Sequence, residues 1–182
     1  MAARLAGHLV VIDMQRVFAD PDSAWATPGF GAIVPRVAAL VAAAPAVTFT
    51  RFVAPTTPKG SWVGYYEEFP FALKPADDPM WDVVDGVGVD PARTISTTTF
   101  GKWGPRLAAR VGDATVVLAG VSTDCCVVAT AVAAADAGAR VQVVTDACAG
   151  ATRFSHDSAL EVLRHFTPQV ELVTSDALLG RA

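Results

Sequence analysis

The sequence is poor in the residues that mark several classes of protein. It has three histidines and three cysteines among 182 residues, and its net charge of −4 includes no run of basic residues. A chain without a basic run lacks the positive surface that binds nucleic acids or anionic membranes. Three cysteines, two of them adjacent, make no disulfide framework and suit a reducing compartment.

Long apolar runs are also missing. The apolar stretches end well before the length of a membrane-spanning helix, and the first residues lead into a strand rather than a signal-peptide cleavage site. We therefore expect a cytoplasmic protein with no nucleic-acid or membrane partner. We also expect it to bind a small-molecule substrate and to form a homo-oligomer.

Hydrophobic residues make up 52% of the chain, enough for a single domain, residues 1–182, with a substantial core. Strand-like runs alternate with helical ones, which predicts a three-layer αβα sandwich around a mostly parallel six-stranded sheet. The predicted strands are His8–Asp13, Ala46–Arg51, Thr94–Thr97, Thr115–Ala119, Arg140–Thr145 and Val170–Thr174. The predicted helices are Ala32–Ala43, Gly104–Val111, Cys126–Ala137 and Ser155–Phe166.

One segment interrupts this alternation. Residues 55–91 are rich in proline and aromatic side chains, and so long a connection in a compact domain is usually a lid, a binding loop or an interface. The alternative is that its rings only cover an edge of the core. We expect this segment to recognise the substrate by its shape.

A cysteine lies where a predicted buried strand meets a predicted helix, in the run from Gly120 to Val127 that contains Cys125 and Cys126. Free backbone N–H groups at a helix N-terminus favour thiolate over thiol, so this position suits a nucleophile. The alternative is that both cysteines are small buried hydrophobes.

Two motifs resemble the isochorismatase-like family of cysteine hydrolases. The first is Gly-Val-x-Thr-Asp-x-Cys-Val at 120–127, and the second is Asp-x-Gln-x-x-Phe at 13–18, after the first strand. The resemblance implies hydrolysis of a small amide, carbamoyl or related C–N bond through a thioester-type intermediate. It implies no metal and no organic cofactor here, because the Asp-x-His and further histidine of metal-dependent nicotinamidases are missing after the second strand.

Matched to these motifs, the nucleophile is Cys126 and the acid/base is Asp13. The resemblance also implies a cis peptide bond between Val121 and Ser122, with an oxyanion hole formed by the N–H groups of Ser122 and Cys126. A buried carboxylate beside an ammonium group is a suitable base for a thiol. We assign substrate binding to Gln15, Phe18, Trp62, Tyr65 and Phe100.

The family's lysine is not at its usual position. Relatives carry it near the third strand, where this chain has Thr94, and the whole sequence has only three lysines, Lys59, Lys74 and Lys102. Lys102 is the nearest to the expected element, and a long stem lets it reach from a displaced Cα. Arg93 is the second candidate, and a solvated surface Lys102 is the structural alternative.

Two other functions stay open at this point. The missing lysine is compatible with a catalytically silent protein that binds or regulates through the same fold. A redox role for Cys125 and Cys126 is the third possibility, although adjacent cysteines close only a strained ring and a Cys-x-x-Cys motif is lacking.

Overall fold

The computed structural model describes residues 5–181. Six parallel strands form one sheet in the order β3-β2-β1-β4-β5-β6. The strands are β1 His8–Ile12, β2 Ala46–Phe52, β3 Thr94–Thr97, β4 Val116–Val121, β5 Val141–Ala149 and β6 Val170–Val173. Every residue of β1 and β4 is buried, because both faces of a parallel sheet are covered by helices.

Helices lie on both faces of this sheet. They are α1 Arg16–Ala19, α2 Phe30–Ala43, α3 Trp62–Glu68, α4 Pro105–Val111, α5 Val128–Asp136, α6 Arg153–Arg164 and α7 Ser175–Leu179. Alternate residues of β1 belong to different cores: Leu9 packs with α2 and the 55–91 segment, and Val10 packs with α4, α5 and α6. The predicted three-layer arrangement is confirmed, and the sheet is parallel throughout.

All six predicted strands and all four predicted helices are present, with shifted ends. The largest difference is that β5 continues to Ala149, and α5 begins at Val128 rather than Cys126. A wider, π-helical turn, Thr123–Val127, joins β4 to α5, so the cysteines lie in that turn. The structure adds three short helices, α1, α3 and α7, to those predicted.

Gly120 lets β4 approach β1 next to the predicted site. Its φ is +122°, and a Cβ atom there would lie 2.1 Å from the carbonyl oxygen of Ile12. Only glycine fits so close an approach of two backbones. The ends of β1 and β4 are therefore held side by side.

The 55–91 segment folds as α3 and four short 3-10 turns and packs on the core. Its Trp81 and Tyr66 side chains are almost fully buried. Among residues 5–181, no helix is long and apolar enough to span a bilayer.

Candidate active site

Asp13 follows β1 directly and is fully buried. Its φ of +45° lies in the left-handed region, which aspartate adopts more readily than most residues. Thr50 on β2 holds both ends of the residue. Its hydroxyl donates to Asp13 Oδ1 at 2.6 Å and accepts from the Asp13 N–H at 3.2 Å. The carboxylate is thus fixed at the carboxyl edge of the sheet.

Lys102, in the connection between β3 and α4, pairs with this carboxylate. Its Nζ lies 2.8 Å from Asp13 Oδ2, and neither side chain is exposed. The ammonium group also donates to the Thr99 carbonyl at 2.9 Å and to the Thr97 hydroxyl at 3.2 Å, and lies 5.1 Å from the centre of the Phe52 ring. A buried ion pair needs such additional partners to offset its desolvation.

The turn Thr123–Val127 carries the two cysteines. Cys126 is buried, with 4% of its surface exposed, and Cys125 is half-buried. Thr130 connects this turn to the lysine: its hydroxyl donates to the Cys126 carbonyl at 2.6 Å and accepts from the Lys102 N–H at 2.9 Å. Thr130 thus links the backbone of Cys126 to the backbone of Lys102.

The peptide bond between Val121 and Ser122 is cis, as the resemblance implies. Within residues 5–181, the Ser122 N–H donates no hydrogen bond to the protein. A buried N–H group without a protein acceptor is available to a ligand oxygen. Ser122 itself lines the cavity described below, and its hydroxyl lies 3.5 Å from that of Thr27.

The two thiols differ in acidity. Their shared hydrogen bond and burial raise the pKa of Cys126 well above the usual thiol value, with Asp13 adding to the rise and Lys102 opposing it. The same hydrogen bond lowers the pKa of Cys125. The direction of the Cys126 pKa is opposite to the one expected from a helix N-terminus alone, and it is consistent with a thiol that gives its proton to a base.

A cavity of about 270 Å³ opens above the cysteines. Its wall carries six aromatic rings, which belong to Phe18, Trp25, Phe52, Tyr65, Phe69 and Phe100. Both cysteine residues, Ser122 and Asp124 complete the polar part of the lining. Mostly apolar walls with a few polar groups are typical of small-molecule sites.

Three of the residues assigned to substrate binding line this cavity: Phe18, Tyr65 and Phe100. Gln15 does not, and its assignment is corrected. Its side-chain amide is fully buried and donates to the carbonyls of Phe52 at 2.8 Å and Trp81 at 2.7 Å. With its hydrogen-bonding groups committed to the backbone, Gln15 positions the wall.

Trp62 is also outside the lining. Its ring packs 4.8 Å from the ring of Phe100 and 5.1 Å from that of Tyr65, measured between centroids. It supports two cavity rings from behind, and its assignment to substrate contact is corrected in the same way.

The model of the isochorismatase domain matches residues 8–176, which is nearly the whole chain. The protein belongs to the isochorismatase family. No curated protein sequence matches it significantly.

Solved structures resemble this isochorismatase-family chain over their full length. An isochorismatase family protein from Desulfovibrio vulgaris is 26% identical, with a TM-score of 0.78 and coverage of 94% of this chain and 95% of that one. A cysteine hydrolase from Pseudomonas syringae is 20% identical, with a TM-score of 0.78 and coverage of 97% and 92%. A pyrazinamidase from Pyrococcus horikoshii, in complex with zinc, is 24% identical, with a TM-score of 0.72 and coverage of 92% and 98%.

Within the part of the chain that the structure describes, no three His, Cys, Asp or Glu side chains cluster so that they could hold a metal ion. His156 Nδ1 lies 2.8 Å from the Thr123 hydroxyl, at the cysteine turn, and burial lowers its pKa. This contact gives the histidine a structural role beside the turn.

The alternatives for the family lysine lie elsewhere. Thr94 donates its hydroxyl to the Asp90 carbonyl at 2.9 Å. Arg93 is 58% exposed and pairs with the Asp90 carboxylate at 3.1 Å. Of Lys102, Arg93 and Thr94, only Lys102 pairs with Asp13.

Trp25 is one of three wall residues, with Phe52 and Phe69, that the sequence analysis did not assign to substrate binding. Its ring stacks on Phe18 at 6.0 Å and lies 5.9 Å from Tyr65 and 5.8 Å from Phe69. It lies in the irregular stretch between α1 and α2, where neither a strand nor a helix pattern marks it. A tryptophan isolated among small and polar residues was the available signal.

Proposed function

We propose that the protein hydrolyses a small amide, carbamoyl or related C–N bond by cysteine-dependent covalent catalysis. The observation that carries this proposal is the buried Lys102–Asp13 pair beside a cavity lined by Cys126. A thiol of raised pKa next to a held carboxylate is an arrangement for proton transfer on demand.

In the first half of the reaction, Asp13 accepts the Cys126 thiol proton as the sulfur attacks the carbonyl carbon. The N–H groups of Ser122 and Cys126 stabilise the negative oxygen of the tetrahedral intermediate. Asp13 then returns the proton to the leaving nitrogen, the C–N bond breaks and a thioester remains on Cys126. Lys102 pairs with the Asp13 carboxylate before the proton transfer and after it, and so holds Asp13 in place.

In the second half, water replaces the released amine. Asp13 removes a proton from the water as it attacks the thioester, and the acid product leaves. The proton finally returns to the Cys126 sulfur, so each cycle restores the thiol and the carboxylate. No cofactor enters this balance.

Capture of the acyl-enzyme tests the proposal. Amides and ureido compounds are screened for ammonia release, and the best substrate is quenched in acid for mass spectrometry of the intact protein and its peptides. We expect the acyl mass on Cys126 in the wild type, no turnover in Cys126→Ala, and retained turnover in the neighbouring control Cys125→Ala.

Simple alkylation is not the decisive assay. Cys125 is the more exposed and more acidic thiol, so iodoacetamide labels it whether or not the protein is an enzyme. An acyl mass on Cys125, or turnover that survives Cys126→Ala, contradicts the assignment. Absence of turnover across the whole panel favours the catalytically silent alternative.

A further inference from the structure

The Thr50 hydroxyl holds two atoms of Asp13 at once. It donates to Asp13 Oδ1 at 2.6 Å and accepts from the Asp13 N–H at 3.2 Å, so it closes a ring with the backbone and the side chain of the same residue. Among residues 5–181, no second group forms a hydrogen bond with either of these two atoms. Rotation of the carboxylate about χ1 or χ2 would break the ring.

Thr50 and Lys102 hold the carboxylate in different ways. Lys102 lies 2.8 Å from the other oxygen, Oδ2, and its ammonium group is a point charge on a flexible stem, which can follow a carboxylate that turns. Thr50 is β-branched, belongs to β2 and is only 1% exposed, so its hydroxyl is confined to one place. Lys102 therefore balances the charge of Asp13, whereas Thr50 determines its direction.

The proposed reaction needs a carboxylate whose direction is fixed. Asp13 accepts a proton from sulfur, passes it to the leaving nitrogen and later removes one from water, and each of these atoms must lie within hydrogen-bond reach. A misplacement of about 1 Å can lower the rate of such a step about a hundredfold. Asp13 follows the last residue of β1 with a φ of +45°, and its N–H is held by the Thr50 side chain rather than by a neighbouring strand.

We propose that Thr50 is a positioning residue of the reaction, which fixes the direction from which the Asp13 carboxylate meets the Cys126 sulfur, the leaving nitrogen and the water. This inference rests on the proposed function, because it gives Thr50 a part in the proton transfers of Asp13. Thr50 itself does not line the cavity. Loss of its hydroxyl should therefore lower kcat with little change in KM.

Three variants on the same strand test the inference. Thr50→Val keeps the shape of the side chain and removes the hydroxyl, and Thr50→Ser keeps the hydroxyl. The matched control is Thr48→Val, because Thr48 is also buried on β2 and its hydroxyl lies 2.8 Å from Nε2 of His8, at the opposite end of β1. Each valine removes a buried hydroxyl that reaches from β2 to one end of β1, but only Thr50→Val releases Asp13.

Steady-state kinetics use the best substrate from the screen of amides and ureido compounds. We expect Thr50→Val to lower kcat by at least about tenfold and to change KM by less than about threefold. Thr50→Ser should keep kcat within about threefold of the wild-type value, and Thr48→Val within about twofold. If Thr50→Val does not fold, Thr50→Ala replaces it and is compared with Thr48→Ala.

The proton–nitrogen NMR signal of the Asp13 amide gives a readout that does not need turnover. An amide proton that loses its acceptor gives a signal further upfield. We therefore expect an upfield shift of the Asp13 signal in Thr50→Val, and a signal close to that of the wild type in Thr50→Ser and Thr48→Val.

The outcomes separate the two proposals. If the wild type turns over and Thr50→Val has the same kcat as Thr48→Val, the inference is overturned and the hydrolase stays intact. A fall in kcat that Thr50→Ser does not restore also overturns it, because altered packing would then be the cause. If the wild type turns over no compound of the panel, the proposed function fails and the amide signal decides whether Thr50 holds Asp13. A shift in Thr50→Val alone supports that contact, and an unmoved signal overturns it.

Discussion

Replacement of Lys102 by methionine tests the centre of the proposed site. The substitution keeps the length and apolar stem of the side chain and removes only the ammonium group. Asp13 then loses its partner at 2.8 Å while its side chain stays fully buried. Breaking a buried ion pair from one side costs about 3–5 kcal/mol, because the remaining charge is left without compensation.

Urea unfolding followed by tryptophan fluorescence measures this cost. We expect Lys102→Met to lower the free energy of unfolding by about 3–5 kcal/mol at neutral pH. The matched control is Lys74→Met, at an exposed lysine, which we expect to change it by less than about 0.5 kcal/mol. The double variant Asp13→Asn/Lys102→Met carries no unpaired charge and recovers part of the loss.

Activity gives the second readout of the same substitution. Without the ammonium group, Asp13 loses the partner that holds it in place for proton transfer from Cys126, so we expect turnover to fall. A Lys102→Met protein as stable and as active as Lys74→Met would refute the reasoning. A Lys102→Met protein that is stable but inactive would support the catalytic role of Lys102 and contradict the predicted loss of unfolding free energy.

Two further predictions concern the proton acceptor and the thiols. Asp13→Asn keeps the shape of the side chain and removes the base, so we expect turnover to fall by about two to four orders of magnitude while circular dichroism stays unchanged. Labelling by iodoacetamide follows the thiolate fraction. Because the pKa of Cys125 is lowered and that of Cys126 raised, we expect labelling of wild type to begin at lower pH than for an ordinary thiol. In Cys125→Ala, peptide mapping should find labelling of the buried Cys126 only at higher pH, because burial still raises its pKa after the shared hydrogen bond is lost. The reverse order would contradict the assigned acidities.

The fold was predictable from the hydrophobic pattern where a whole strand is buried, because burial restricts that stretch of sequence to apolar residues. Strand β4 is buried at every position, and its apolar β-branched run identified it. The prediction stopped β5 too early because Asp146 interrupts its apolar run. In the structure this carboxylate accepts the Ser175 N–H at 2.7 Å and the Ser175 hydroxyl at 2.6 Å, anchoring α7. Such a tertiary contact leaves no local signature in the sequence.

The prediction of where α5 begins was wrong for a different reason. Propensity predicted a helix from Cys126, but Thr123–Val127 forms the wider turn and α5 begins at Val128. The sequence does not distinguish an α-helical from a π-helical turn, because the two differ in the spacing of their backbone hydrogen bonds. The difference matters for chemistry, since the turn determines how the cysteines face the cavity.

The placement of Lys102 beside Asp13 could not be predicted from sequence spacing alone. The motif predicted an ammonium group near the third strand, and three lysines limited the choice, but only the path of residues 98–101 brings Lys102 Nζ back to Asp13. Contacts with Thr97, Thr99 and Phe52 then hold the ammonium group. A long, flexible side chain can reach the same point from several backbone positions. The role of Lys102 therefore follows from the groups it contacts rather than from its position in the sequence.

The residues proposed to react and the residues that form the cavity wall differ in how clearly the sequence marks them. The reacting groups follow the ends of β1 and β4, where the strand pattern and the motif residues Asp13 and Cys126 make them visible. The wall is assembled from Trp25, Tyr65 and Phe69, which lie in segments without strand or long-helix periodicity. Even Gln15, a motif residue, acts on the wall through the backbone of Phe52. The proposed reaction class therefore rests on motif residues that are visible in the sequence, whereas the residues that line the cavity come together only through tertiary packing.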